Sequence, residues 1–216
     1  MNDPAVFCFI AIGASGSEGL NDIKTLLCAL PRPVSAVVMV VLHRPSDQIS
    51  VLRSVLARSC GMPVVVATEA EAFRPDTCYI GEPAEHLTLV ARDLAHLVPG
   101  RGNRLRNRTV DTLFNSLARH AGPRVIGVIL SGSLDDGSRG LAAIHAARGL
   151  TMVLDPGRKT RGMQQNAIDY DGPISFIGTA ARIAEVIGQV LLKVRFPLRP
   201  EPRSLLSEKQ PADQDR

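Results

Sequence analysis

The 216-residue chain has no tryptophan, and aromatic residues of every kind make up only 4% of it. Sequence-tolerant binders of single-stranded nucleic acid stack bases on aromatic rings placed among basic residues. The one dense basic stretch, Arg101, Arg104, Arg106 and Arg108 in RGNRLRNR, contains no ring. No nucleic-acid partner is expected. Long apolar runs are also missing: none approaches the roughly 18 residues of a membrane span, and the N-terminal MNDPAVF lacks the basic region of a signal peptide. The four cysteines, Cys8, Cys28, Cys60 and Cys78, form no C-x-x-C pair and lie in apolar or strand-like contexts. They suit buried free thiols in a reducing compartment. The histidines show no H-E-x-x-H or comparable metal spacing. A cytoplasmic protein with no membrane insertion, no metal and no cofactor is therefore expected.

What the chain has in quantity is aliphatic: 45% of its residues are hydrophobic. Val6 to Ile12, Ala36 to Leu42, Val125 to Leu130 and Thr151 to Leu154 are short, β-branched runs followed by turn residues. They predict buried parallel strands. Helices are predicted at about Leu20 to Ala29, Ile49 to Ser59, Val110 to His120 and Ser138 to Arg148, the last three ended by Gly61, Gly122 and Gly149. Between Val64 and Val98 the β-rich pieces VVVA, CYIG, HLTLV and AHLV follow one another closely, which predicts an antiparallel insertion. ISFIG and the helical AARIAEVIGQVLLKV close the fold. The expected class is α/β, a three-layer doubly wound, mostly parallel sheet with an antiparallel hairpin insertion. One domain spans residues 1 to 195, and the polar tail 196 to 216 reads as disordered.

In open parallel sheets, functional groups gather where strands end at their carboxyl edge. Three such ends stand out: Gly13-Ala14-Ser15-Gly16, His43-Arg44-Pro45, and SGSLDDG from Ser131 to Gly137. A dinucleotide fingerprint fails here, because Ser15 stands where the middle glycine is needed and the second strand ends in His43 rather than an acid. No P-loop pattern is present. The other reading makes Ser15 a nucleophile on a strand-to-helix turn, His43 the base that takes its proton, and Asp135 or Asp136 the carboxylate that orients the imidazole. A serine in such a turn is also a common helix cap, and D-D-G a common helix start. Spacing alone leaves both readings open.

The same segments resemble the catalytic domain of chemotaxis protein-glutamate methylesterases, the CheB family, from about Phe7 to Leu191. AIGASGSEG resembles the family's IGAS-T-G-G turn, VVLHRP its V-Q-H-M-P segment, and VIGVILSGSLDDGSRGL its V-I-L-T-G-M-G-N-D-G segment. CYIGEPAEHL, VDTLFNSLARHAG and LDPGRKTRGMQQNAI are similar to further family segments. The resemblance implies Ser15 as nucleophile, His43 as general base and acid, and Asp136 as orienting carboxylate. Backbone amides of Gly16 and Ser133 are implied as oxyanion donors. Glu18, Arg44, Arg108 and Met163 flank the implied substrate cleft. The implied reaction hydrolyses glutamyl methyl esters, and by the same acyl-enzyme deamidates glutamines, on the cytoplasmic helical bundle of a chemoreceptor or a related signalling protein. His86 and His120 match family positions and read as packing or capping groups.

The pattern departs at several points. Gly16-Ser17-Glu18 replaces T-G-G, Leu134 a glycine, Asp135 an asparagine, Ser133 a methionine and Gln164 a proline, while NRTVD replaces R-P-S-V-D. Glu18 brings a carboxylate beside the expected reaction centre, where it opposes a developing oxyanion unless it turns to solvent. A catalytically weak or inactive CheB-like binding module is the alternative these changes leave open. The first strand begins close to residue 1, with no room for a regulatory receiver before it. Activity without phosphorylation, or control by a separate partner, is the corresponding expectation.

Overall fold

A computed structural model of the chain describes residues 7–43, 51–100, 108–133, 135–159, 161–170 and 172–194. The aliphatic runs become strands because both of their faces can be covered. In β1 (Cys8–Ser15), Cys8, Ile10, Ile12 and Ala14 face one hydrophobic layer, and Phe9 and Ala11 face the other. β2 (Ala36–His43) repeats this: Ala36, Val38, Val40 and Leu42 point one way, Val37 and Met39 the other. The period of two puts Ser15 and His43 on the face of Phe9 and Val37.

The first layer is closed by α1 (Gly16–Ala29) and α2 (Leu52–Ser59), through residues such as Ile23, Leu27 and Leu56. The second is closed by α3 (Thr109–His120), through Val110, Leu113, Phe114 and Leu117. β3 (Val64–Val66), β4 (Thr77–Ile80), β7 (Val125–Ile129), β8 (Leu150–Leu154) and β9 (Phe176–Gly178) complete a seven-stranded sheet in the order β3-β4-β2-β1-β7-β8-β9. Every pairing in it is parallel. α4 (Ser138–Ala146) and α5 (Met163–Asp169) join the α3 layer, and α6 (Ala180–Val194) lies on the α1 side. Successive strands leave β1 in both directions, so the sheet reverses its winding between β1 and β7. Crevices form at such a reversal.

The α/β, doubly wound class is as expected, with two corrections of extent. Only β5 (Glu85–Val90) and β6 (Leu94–Pro99) form the antiparallel hairpin, whereas VVVA and CYIG supply β3 and β4 to the main parallel sheet. Close spacing in sequence gave them the look of a meander, but their apolar side chains pair best by extending the buried sheet. α1 also begins at Gly16, not Leu20. All four cysteines are free as expected, yet Cys28 is exposed on α1 rather than buried. The expected tail from 196 lies outside the described residues, as does Arg44.

Candidate active site

Ser15 is both the last residue of β1 and the residue that caps α1. A serine at that position ordinarily turns its hydroxyl onto an orphan amide of the first helical turn. Ser15 does not: its backbone is extended and its side chain makes no capping bond. The hydroxyl is left available for chemistry. Gly16, the next residue, has φ 72°, a conformation that lets the chain turn sharply from strand into helix. Its N–H, at the first helical position, has no acceptor within the helix.

His43 ends β2 in direct parallel register with Ser15. Adjacent strands lie about 4.8 Å apart, so two side chains on the same face at paired positions are neighbours. His43 Nε2 lies 2.6 Å from Asp136 Oδ2, with side chains 11% and 0% exposed respectively. That bond assigns the Nε2 proton toward the carboxylate and leaves the Nδ1 lone pair on the other side of the ring. No hydrogen bond joins Ser15 Oγ to His43 in this structure. Such bonds are often long before substrate binds.

Asp136 follows β7 and is seated on the start of α3. Its Oδ1 accepts the Asp111 N–H at 2.8 Å, and its Oδ2 accepts the Val110 N–H at 2.9 Å and the Thr109 hydroxyl at 3.5 Å. These amides are orphan donors of the first turn, so the positive end of α3 faces the carboxylate. Asp111 returns the arrangement: its Oδ1 accepts the Gly137 and Gly140 N–H groups at the start of α4, at 3.0 and 2.7 Å. Two buried carboxylates thus cap each other's helices. Burial pushes the Asp111 carboxyl upward, the Gly140 amide opposes this, and the Asp136 charge adds to it. α3 can approach this closely because β1 has a glycine beneath it: a Cβ on Gly13 would lie 2.3 Å from Val110 Cγ1.

The loop after β7 is bolted to its surroundings. The Ser15 N–H donates to the Ser131 carbonyl at 2.9 Å, and the Met163 N–H to the Gly132 carbonyl at 2.9 Å. Gln164 Nε2 donates to Ser131 Oγ at 3.1 Å, both residues being buried. A Cβ on Gly132 would meet Met163 Sδ at 2.1 Å and Ser15 Cβ at 2.9 Å, so this backbone runs against the Ser15 side chain. Ser133 is exposed, and its N–H makes no hydrogen bond among the described residues.

The flanking residues divide. Arg108 bonds Asp111 at 3.2 Å and lies 3.8 Å from Asp135. Glu18 turns outward to Lys159, 2.5 Å away. Met163 is fully buried against Gly132, so it shapes the loop rather than lining an open surface. His86 is 4% exposed, and neither ring nitrogen has a hydrogen-bond partner among the described residues. Its burial, with His43 nearby, holds the imidazole below its ordinary 6.5 against the opposing pull of Asp136. It packs, as expected, whereas His120 is exposed at the end of α3. Asp111 escaped notice as a functional support, although an acid in the first turn of a predicted helix was a visible signal. Lys159 gave none, being 141 residues from Glu18.

The family model for the CheB methylesterase matches residues 10–187, most of the chain. The chain belongs to the CheB methylesterase family. A protein-glutamate methylesterase/protein-glutamine glutaminase of Xanthomonas euvesicatoria is 36% identical over 149 residues, covering 68% of this chain and 41% of that protein. One of Shewanella oneidensis is 32% identical over 182 residues, covering 82% and 50%. The chain thus spans about half or less of the length of these relatives. The CheB methylesterase catalytic domain of Thermotoga maritima superposes with a TM-score of 0.75 at 23% identity, covering 85% of this chain and 98% of that one, and shares the fold. Among the described residues no helix is long and apolar enough to cross a membrane.

Proposed function

We propose that this CheB-family chain is a cytoplasmic serine hydrolase acting on glutamyl methyl esters, and on glutamine side chains by the same route, of a chemoreceptor's helical bundle. The observation that carries the reading is the buried His43–Asp136 bond beside a serine whose hydroxyl is not used as a helix cap. Ser15 Oγ attacks the ester carbonyl carbon while His43 Nδ1 takes its proton. The imidazolium so formed is held by the Asp136 carboxylate. Gly16 and Ser133 N–H groups receive the oxyanion, each such donor contributing about 3 kcal/mol to the barrier reduction. Collapse breaks the ester C–O bond, and His43 returns the proton to the departing methanol. Water, deprotonated by His43, then attacks the acyl-enzyme and releases glutamate and Ser15. With a glutamine substrate the leaving group is ammonia.

Methanol release from methylated receptor membranes tests the substrate. A serine-directed fluorophosphonate tests the chemistry: labelling at Ser15 that disappears in His43→Ala supports the hydrolase. A folded protein that takes no label favours the second reading, a binding module that retains the cleft, for which the missing Ser15–His43 hydrogen bond speaks.

A further inference from the structure

The Glu18–Lys159 ion pair joins the first turn of α1, which follows Ser15, to the chain between β8 and α5. Glu18 lies in the first turn of α1, three residues after the nucleophile. A carboxylate there is favourable to the helix, because the unsatisfied amides of the first turn present positive charge. The same positive end is what a developing oxyanion at Gly16 would use. Helix and transition state therefore compete for one field, and an unopposed Glu18 weakens it for the reaction.

Lys159 comes from between β8 and α5, where the described residues are tied down at both ends. Asp155 N–H donates to the Gly178 carbonyl at 2.9 Å, the Lys159 N–H to the Pro156 carbonyl at 3.1 Å, and Met163 N–H to the Gly132 carbonyl at 2.9 Å. The segment thus ends on the loop that abuts Ser15. Arg158 and Arg161 on the same segment are exposed and make no ion pair among the described residues. Of these three cations, Lys159 is the one brought to Glu18. We propose that Lys159 is an electrostatic positioning residue: it draws the Glu18 carboxylate away from the nucleophile and cancels its charge, so that the start of α1 remains able to stabilise an oxyanion. The inference rests on the hydrolase reading of Ser15.

Both side chains are more than half exposed, at 68% and 55%, so the effect is modest and salt-dependent. The test is the second-order rate of Ser15 labelling by an uncharged fluorophosphonate at low and high ionic strength. Lys159→Met is expected to label about two- to tenfold more slowly than the wild type at low salt and to approach it at high salt. Glu18→Gln labels at least as fast as the wild type, and Glu18→Gln with Lys159→Met matches Glu18→Gln alone. A Lys159→Met rate equal to the wild type at low salt, or a deficit that survives high salt or the second substitution, overturns the proposal. A wild type that takes no label overturns the hydrolase reading itself, and this inference with it.

Discussion

Replacing Asp136 by asparagine changes one oxygen to an amino group where every neighbour is a donor. Oδ1 receives the Asp111 N–H, and Oδ2 receives the Val110 N–H, the Thr109 hydroxyl and the His43 ring. An asparagine can place its carbonyl at only one of these positions. With the carbonyl toward Asp111, its NH₂ faces the Val110 N–H and forces His43 to accept at Nε2, so the proton moves to Nδ1 and the base proposed for Ser15 is lost. With the carbonyl toward His43, the tautomer survives but the NH₂ faces the Asp111 N–H. Either way one buried amide loses its acceptor, at about 1–3 kcal/mol. The negative charge that balances the imidazolium disappears in both. For charge centres about 4 Å apart at an effective dielectric of 20, that balance is worth about 4 kcal/mol, or about three decades in rate. Asp136→Asn is therefore expected to lower kcat for methanol release by about 10³–10⁴, and to lose about 1–3 kcal/mol in urea unfolding. A folded Asp136→Asn protein with kcat within tenfold of the wild type would refute this account of the site.

Four further outcomes follow from the same geometry. Ser15→Ala should abolish labelling while changing stability by less than about 0.5 kcal/mol, because its hydroxyl caps nothing; an ordinary cap loss of about 1 kcal/mol in thermal unfolding would contradict that. Asp111→Ala should cost about 2–4 kcal/mol, since it strips the acceptor from two amides of α4, and urea midpoints measure it. Gly132→Ala should lose activity through the 2.1 Å clash with Met163 and the 2.9 Å approach to Ser15, whereas normal labelling by the fluorophosphonate would show that the loop yields freely. His86, held below 6.5 by burial, lets the unfolded chain bind a proton that the folded chain refuses. Its contribution to stability is complete above pH 6.5 and is lost as pH falls toward the lowered folded value. His86→Met should show a smaller drop in urea midpoint between pH 7.5 and 5.5, and an unchanged drop would remove His86 as the cause.

How far the site could be read from the chain depends on how local each cause is. Ser15 and His43 were legible because a strand's end is announced by the change from apolar run to turn residues, and strand ends in a parallel sheet share an edge. Asp136 was legible only as one of two neighbouring acids, since D-D-G gives no sign of which carboxylate turns inward. The resemblance to the CheB family pointed to Asp136, and the structure seats that side chain on the first amides of α3, with Asp135 exposed. The overextended hairpin has a similar origin. β3 and β4 have the composition of any short buried strand, and nothing local distinguishes pairing with each other in an antiparallel meander from pairing in parallel at the sheet's edge.

The amino-acid sequence by itself determined the alternation that buries both faces of β1 and β2, the turn chemistry that places Ser15 and His43 at strand ends, and the absence of a nucleotide fingerprint. Each depends on residues within a few positions of one another, where backbone geometry alone sets the outcome. Tertiary structure alone decided that Asp136 and Asp111 exchange helix caps, that Gln164 holds Ser131, and that Lys159 meets Glu18. Those contacts join distant segments, and only packing of the two layers against the sheet brings their hydrogen-bonding groups and charges within reach.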